Sequence, residues 1–244
     1  MLTGYIEGYY GVELSWKERD SIISKLKETG CNTYFYCPKE DPYHRIKWKD
    51  DYPISWIEDF KKFKSNADTA GIDIIFGISP GASLELKDFE HLERKIGIFK
   101  ELSIENFCIL FDDIPKEKEQ FSLHREVLEL CLEKFPNINL SCVPSQYCKT
   151  MVDDSNNDYL TELDKVDISV PFFWTGNQVI TSNYSDNNID SWKELFREDR
   201  DLIIWDNTFA NDYCVPKIVM QDFDGFFSKD SKKVSGFMLN ASGI

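Results

Sequence analysis

One segment of the chain, Asn-Phe-Cys-Ile-Leu-Phe-Asp-Asp-Ile-Pro at residues 106–115, joins an unbroken apolar run to two adjacent carboxylates. The apolar run predicts a strand that is buried on both faces, as in a parallel sheet. Functional residues of α/β proteins gather at the carboxyl ends of such strands, so Asp112 and Asp113 are candidate catalytic residues. The alternative is that one aspartate caps the next helix and the other is solvated, and this segment alone leaves both open.

Short apolar runs alternate with longer amphipathic segments along the chain, which predicts repeated βα units. The predicted strands lie near residues 2–7, 31–37, 72–79, 106–111, 138–143, 167–173, 201–206 and 234–240. The predicted helices lie near residues 15–29, 54–70, 87–101, 118–134, 157–164, 189–197 and 215–222. No linker or change of composition divides the chain. The pattern therefore predicts an α/β protein with one (β/α)8 TIM barrel, a single catalytic domain over residues 1–244.

The eighth βα repeat is incomplete in this sequence. Only residues 241–244 follow the last predicted strand, so we expect the barrel to lack its eighth helix. The wall between the eighth and first strands should then leave apolar surface uncovered. We expect self-association through that wall, a compensating shift of a neighbouring helix, or low stability.

Composition and charge exclude several classes of partner. The chain has 28 Lys and Arg against 43 Asp and Glu, a net charge of −15, and such a surface repels nucleic acid and anionic membranes. It shows no signal-peptide pattern and no apolar run of membrane-spanning length, which predicts a cytoplasmic protein. The seven cysteines are scattered and the three histidines form no ligand motif, so we expect no disulfide framework, no metal and no other cofactor.

Polar and aromatic residues gather where the predicted strands end. These groups lie at residues 7–11, 38–45, 79–81, 112–113, 142–148, 173–176, 205–207 and 211–213, and at Asn240. Amides and carboxylates bind hydroxyl groups, and aromatic faces stack on the C–H side of a sugar ring. Because no glycine-rich phosphate loop accompanies them, the set predicts a neutral sugar as ligand.

This ordered set of motifs resembles the catalytic barrel of glycoside hydrolase family 84, the O-GlcNAcase and bacterial β-N-acetylglucosaminidase family. The resemblance runs from Gly4 to Asn240. It rests on Ile6-Glu7-Gly8-Tyr9-Tyr10-Gly11, Pro38-Lys39-Glu40-Asp41-Pro42-Tyr43-His44-Arg45, Ile78-Ser79-Pro80-Gly81, Phe111-Asp112-Asp113-Ile114, Trp174-Thr175-Gly176, Trp205-Asp206-Asn207 and Asn211-Asp212-Tyr213.

The resemblance implies a retaining β-N-acetylglucosaminidase that removes terminal β-linked N-acetylglucosamine from a glycoprotein or glycan. The substrate's own acetamido group would be the nucleophile and would form an oxazoline intermediate. Asp112 would accept a hydrogen bond from the acetamido N–H, while Asp113 would protonate the leaving oxygen and later deprotonate water. This chemistry needs one ionised and one protonated carboxylate at the start.

The same resemblance implies a set of sugar-binding residues. Gly8 and Lys39 would contact one edge of the ring, Asp212 and Asn240 the O4 and O6 side, Asn207 and Tyr147 the acetamido group, and Trp205 and Cys142 the pocket for its methyl. Simpler roles exist for four of them. Cys142 and Trp205 could belong to the core, Lys39 could be a solvated charge, and Asn240 could cap the last strand.

The sequence also departs from the family pattern, and two other functions remain open. Tyr9 stands where phenylalanine is common, Val12-Glu13-Leu14 replaces a proline-containing turn, and Ala82-Ser83 replaces a common Leu-Asp pair. One alternative is a glycan-binding barrel without turnover, motivated by the missing eighth helix. The other is a hyaluronidase-type glycosidase, which the net charge of −15 disfavours because its substrate is acidic.

Overall fold

The fold is a closed barrel of eight parallel strands, seen in a computed structural model that describes residues 1–81, 83–114, 119–152, 158–210, 212, 227 and 231–241. Each strand pairs with the next in chain order, and β8 pairs with β1. The strands are β1 Leu2–Glu7, β2 Thr33–Tyr36, β3 Asp73–Ile78, β4 Asn106–Leu110, β5 Asn139–Val143, β6 Phe172–Trp174, β7 Leu202–Asp206 and β8 Gly236–Asn240. The predicted TIM barrel is confirmed.

Helices cover the barrel between successive strands from β1 to β7. In the described part of the chain they are α1 Trp16–Thr29, α2 Ile54–Ala70, α3 Phe89–Glu101, α4 Glu119–Lys134, α5 Asp158–Leu163 and α6 Asp186–Lys193. The helix predicted near 215–222 lies outside the described residues, and those described include no eighth helix. None of the described helices is both long and apolar enough to span a membrane.

Local sequence signals account for the ends of the first two helices. The Glu18 N–H donates to Ser15 Oγ at 3.3 Å and the Ser15 N–H donates to Glu18 Oε2 at 2.7 Å, which completes a capping box. Gly30 and Gly71 end α1 and α2 with φ of 74° and 75°, the left-handed conformation that glycine adopts without strain.

Strand β6 is shorter than the sequence predicts, and a buried arginine explains the difference. The guanidinium of Arg200 donates to the backbone carbonyls of Val166, Asp167 and Val170 at 2.9, 2.8 and 2.6 Å. Its Nε also donates to a carboxylate oxygen of Asp164 at 2.6 Å. These carbonyls are engaged by a side chain, so the segment before Phe172 forms turns instead of a strand.

Two apolar layers lie on opposite faces of the sheet. The inner layer fills the barrel below its carboxyl end and includes Phe35, Leu110 and Phe173, all fully buried. The outer layer lies between sheet and helices and includes the fully buried Phe76 and Ile109. Because successive strand residues alternate between these layers, the inward-facing positions continue into the residues that surround the barrel mouth.

The wall formed by β8 and β1 is less well covered than the rest of the sheet. Tyr5, Phe237 and Leu239 on these strands are only half-buried, whereas the outward-facing Phe76 and Ile109 of β3 and β4 are fully buried. The side chains on this wall therefore keep more exposed apolar surface than those on β3 and β4.

Candidate active site

A cavity of about 440 Å³ opens at the carboxyl ends of the strands. It brings together nine of the ten residues predicted for the site: Gly8, Lys39, Asp112, Asp113, Tyr147, Trp205, Asn207, Asp212 and Asn240. Cavities of this size hold a small ligand such as a monosaccharide. The structure thus places the predicted residues in one site, although they are spread over the whole chain.

The backbone after β4 turns both aspartates toward this cavity. Cys108 and Leu110 point into the barrel, so strand alternation directs Asp112 inward as well and would direct Asp113 outward. Asp113 instead adopts φ of 58°, a left-handed conformation that aspartate tolerates better than most residues. The chain reverses at this residue, and two consecutive carboxylates line one cavity.

Asp112 is the more deeply buried of the two, at 8 % exposed. Its Oδ2 accepts a hydrogen bond from the Nζ of Lys39, whose side chain is also buried. Its Oδ1 is buried and has no hydrogen-bond partner among the described residues. Burial disfavours the charged ammonium, but the two neighbouring carboxylates outweigh this effect and hold the pKa of Lys39 above its usual range. Asp112 therefore faces a cation.

Asp113 has a different environment, with its side chain 33 % exposed. The hydroxyl of Tyr10 donates to Oδ2 at 2.6 Å, and the hydroxyl of Tyr147 donates to Oδ1 at 3.1 Å. Burial and the neighbouring Asp113 raise the pKa of Tyr147, so this phenol keeps its proton and stays a donor. Lys39 Nζ lies 4.0 Å from Oδ2, beyond hydrogen-bond distance. The two carboxylates thus have distinct partners.

A chain of amide hydrogen bonds forms another side of the cavity. The Gly8 N–H donates to Asn240 Oδ1 at 3.2 Å, and Asn240 Nδ2 donates to Asn207 Oδ1 at 2.8 Å. Trp205 Nε1 donates to the same Asn207 oxygen at 2.8 Å. A Cβ at position 8 would lie 2.5 Å from the Trp205 ring, so glycine is required for this close approach. The bonds fix Trp205 and both amides in place.

Tyr10 links two parts of the site and was not assigned a role from the sequence. Its hydroxyl binds Asp113, and its backbone N–H donates to Asp212 Oδ2 at 2.7 Å. Arg45 Nη1 donates to the Tyr10 hydroxyl at 2.8 Å. The position of Tyr10 in the motif after β1 marked it as a strand-end residue, but its contacts with two distant aspartates required the closed barrel.

Cys142 does not line the cavity, and this prediction is corrected by the structure. Cys142 is fully buried in the outer layer, where it pairs with Ile109 across β4 and β5. The next residue, Val143, points inward and lines the cavity. Successive strand residues face opposite sides of the sheet. A prediction that is wrong by one position therefore assigns a residue of the outer core to the cavity. Val179 and Ile180, which also line the cavity, lie in a loop that the sequence did not single out.

The described residues include no group of three or more His, Cys, Asp or Glu side chains that could hold a metal ion. The polar side chains that line the cavity are carboxylates, amides, phenols and one ammonium. Such groups bind hydroxyl and amide groups of an organic ligand by hydrogen bonds.

Comparison with known proteins places these features in a family. The model of the β-N-acetylglucosaminidase family matches residues 3–243. The chain is 28% identical over 258 residues to Protein O-GlcNAcase of Mus musculus and of Rattus norvegicus. Each alignment covers 98% of this chain but 28% of the relative. It therefore spans less than a third of the curated relatives it matches.

Two solved structures are similar over nearly the whole chain. CpGH84B has a TM-score of 0.86 and 29% identity, covering 98% of this chain and 44% of that one. A mutant of Thermobaculum terrenum O-GlcNAc hydrolase has a TM-score of 0.88 and 26% identity, covering 98% of this chain and 54% of that one. The chain belongs to the β-N-acetylglucosaminidase family of glycoside hydrolases, glycoside hydrolase family 84.

Proposed function

We propose that this protein is a retaining β-N-acetylglucosaminidase that releases terminal β-linked N-acetylglucosamine by substrate-assisted catalysis. The observation that carries the proposal is the pair Asp112 and Asp113, adjacent in one cavity but in different environments. Asp112 is buried, and its carboxylate accepts a hydrogen bond from the ammonium of Lys39. Asp113 is more exposed, 33 % against 9 % for the two side chains, and is better placed to exchange protons with substrate and water.

In the first step, the acetamido carbonyl oxygen of the substrate bonds to C1 as the bond from C1 to the leaving oxygen breaks. Asp113 gives its proton to that oxygen. Asp112 accepts a hydrogen bond from the acetamido N–H, which aims the carbonyl oxygen at C1. The ring nitrogen keeps its proton, and the negative Asp112 stabilises the positive charge of the oxazolinium ion that forms.

In the second step, a water oxygen bonds to C1 from the side that the leaving group vacated. The water gives its proton to Asp113, which now acts as the base, and the bond between C1 and the oxazolinium oxygen breaks. The acetamido group is restored and the product retains the β configuration. Substrate assistance departs from the ordinary scheme in which an enzyme carboxylate attacks C1.

The remaining cavity residues suit the rest of the sugar. Asp212 accepts hydroxyl hydrogen bonds at one side, and the amides of Asn207 and Asn240 can both donate and accept. Trp205, Val143 and Phe173 give apolar surface to which the acetamido methyl and C–H groups can pack. The relatives are named for O-GlcNAc, and we extend that to this chain by proposing a protein-linked sugar as the substrate.

A direct assay of an aryl N-acetyl-β-glucosaminide tests the proposal. We expect release of the phenol and, by proton NMR of the fresh product, the β anomer first. Turnover that is absent while N-acetylglucosamine still binds would support the glycan-binding alternative. Cleavage of hyaluronan without cleavage of the aryl glycoside would support the hyaluronidase-type alternative.

A further inference from the structure

Lys39 is the only described cation that donates a hydrogen bond to either catalytic aspartate. The family resemblance assigned it to a hydroxyl on the sugar edge. In the structure its side chain is 3% exposed and its Nζ donates to Asp112 Oδ2. It also lies 5.8 Å from the centroid of the Tyr10 ring. Its strongest interaction is therefore with the enzyme itself.

The loop that carries Lys39 is fixed by a buried carboxylate two residues later. Asp41 Oδ2 accepts hydrogen bonds from the hydroxyls of Tyr36 and Tyr52 at 2.7 and 2.9 Å. Its Oδ1 accepts from the backbone N–H groups of Tyr43 and His44 at 2.8 and 3.3 Å. These four bonds hold the segment after β2 in one conformation, so the Lys39 ammonium is presented to Asp112 before any substrate binds.

The pairing divides the two oxygens of Asp112 between two tasks. Oδ2 accepts a hydrogen bond from Lys39. Oδ1 is buried and has no partner among the described residues, and Asp112 itself lines the cavity. A hydrogen bond from the substrate to a buried acceptor is especially favourable, because the acceptor does not have to give up a hydrogen bond to water. The acetamido N–H of N-acetylglucosamine is such a donor.

We propose that Lys39 is a positioning residue that acts through Asp112: its ammonium holds Oδ2 and so turns Oδ1 toward the acetamido N–H. The inference rests on the proposed function, because it assigns Lys39 a part in orienting the nucleophile of that reaction. It differs from a sugar-hydroxyl contact in one respect that can be measured, since a residue that works through Asp112 has no effect once Asp112 is neutral.

A double-mutant cycle tests this dependence. Lys39→Met removes the charge with little change of volume and should lower kcat/KM about 10- to 100-fold, the worth of a charged hydrogen bond. Asp112→Asn should lower it at least as much. Adding Lys39→Met to Asp112→Asn should then cost less than about threefold more. Fully multiplicative losses would overturn the proposal.

Deoxy substrates separate the two roles of Lys39 by a second route. Aryl glycosides that lack the C3, C4 or C6 hydroxyl in turn should each show the same Lys39→Met loss as the parent glycoside. Disappearance of the loss with one of them would assign Lys39 to that hydroxyl and overturn the proposal. Lys39→Arg keeps a cationic donor, so its kcat/KM should lie closer to wild type than that of Lys39→Met. A purely steric role of Lys39 does not predict this order.

Arg200 provides a matched control for damage to the fold. It is a buried cation, at 1 % exposed, and its guanidinium donates to the carbonyls of Val166 and Val170 at 2.9 and 2.6 Å, outside the cavity. Arg200→Met should lower stability but leave kcat/KM of the folded enzyme near wild type. If Lys39→Met does not fold, Lys39→Gln replaces it in the cycle. An inactive wild type would refute the proposed function, whereas an active wild type with an unaffected Lys39→Met would refute only this inference.

Discussion

At the scale of single residues, one backbone angle brings two adjacent aspartates to the same cavity, and one lysine gives them different environments. The left-handed φ of Asp113 brings its side chain to the same cavity as Asp112. Lys39 then pairs with Asp112, while two phenols donate to Asp113. The two carboxylates therefore present different surroundings to a substrate in the cavity.

This division predicts that Asp113→Ala and Asp112→Ala fail in different ways. Loss of the general acid should slow glycosides with poor leaving groups most, because activated phenols depart without protonation. Loss of Asp112 should slow good and poor leaving groups more evenly, because ring closure itself is impaired. General acid–base assistance is worth about 10²- to 10⁴-fold, so a series of aryl glycosides resolves both. Equal leaving-group sensitivity in the two variants would contradict the assignment.

At the scale of elements, the loop between β2 and α2 shows how a buried charge fixes a site. Asp41 is 1 % exposed and accepts four hydrogen bonds from that segment and its neighbours. The motif after β2 was visible in the sequence, but its internal support was not, because Tyr36 and Tyr52 meet Asp41 only in the folded chain.

Asp41→Ala should therefore reduce both stability and activity. Two buried phenols lose their acceptor, which costs about 3 kcal/mol in the free energy of unfolding. The displaced Lys39 should also lower kcat/KM measured well below the unfolding temperature. Urea unfolding and aryl glycoside kinetics check the two effects. Asp59→Ala, at an exposed ion pair with Lys62, should change the free energy of unfolding by less than about 0.5 kcal/mol.

A buried histidine on helix α4, His124, should make the protein less stable at acid pH. His124 is 1 % exposed and stacks on Phe111 at 3.8 Å between ring centroids. Burial lowers the pKa of His124 from 6.5 to about 3. Between these pKa values the unfolded chain binds a proton that the folded chain does not. The contribution of neutral His124 to the free energy of unfolding is therefore complete above about pH 6.5 and is lost progressively as the pH falls toward 3.

His124→Phe should remove this contribution. Between pH 7 and pH 4.5 the wild type should lose about 2 kcal/mol more than the variant in the free energy of unfolding. His44, whose pKa burial lowers to about 4, remains in both proteins and so cancels in the comparison. Urea unfolding at the two pH values measures the difference. An unchanged pH slope in the variant would show that His124 does not titrate this way.

Strand periodicity and turn signals allowed most of the fold to be predicted from the sequence. The eight strands and the capped ends of α1 and α2 follow from local patterns. The length of β6 did not, because Arg200 binds the carbonyls of the segment before β6 from 30 or more residues away. In the site, the family resemblance identified residues that only the barrel brings together, whereas the position of Cys142 required the pleat register and Tyr10 required its long-range contacts.

At the scale of the whole molecule, the wall between β8 and β1 is the least covered part of the barrel. Tyr5, Phe237 and Leu239 keep exposed apolar surface there. Exposed apolar patches on a soluble protein favour association with other surfaces of the same kind. The wall lies on the side of the barrel, away from the cavity mouth, so association through it is compatible with an open site.

Self-association through this wall is one of the three outcomes expected for it, besides a shifted neighbouring helix and low stability, and Leu239→Lys should weaken such association. A charge cannot be buried against apolar surface without a large desolvation cost. Sedimentation velocity over a range of concentrations measures the effect. Ile54→Lys, at a position 80% exposed at the start of α2, should leave association unchanged. A wild type that is monomeric at all concentrations would contradict self-association through the wall.

The identity of the nucleophile is the central claim, and substrates with fluorinated acetamido groups test it most directly. Fluorine withdraws electron density from the acetamido oxygen, so kcat/KM should fall progressively from acetyl through mono- and difluoroacetyl to trifluoroacetyl aryl glycosides. An aspartate nucleophile would make the rate nearly independent of fluorination. The proposed mechanism predicts a steep, monotonic decline. A flat series, or a glycosyl ester trapped on Asp112 or Asp113, would contradict substrate assistance.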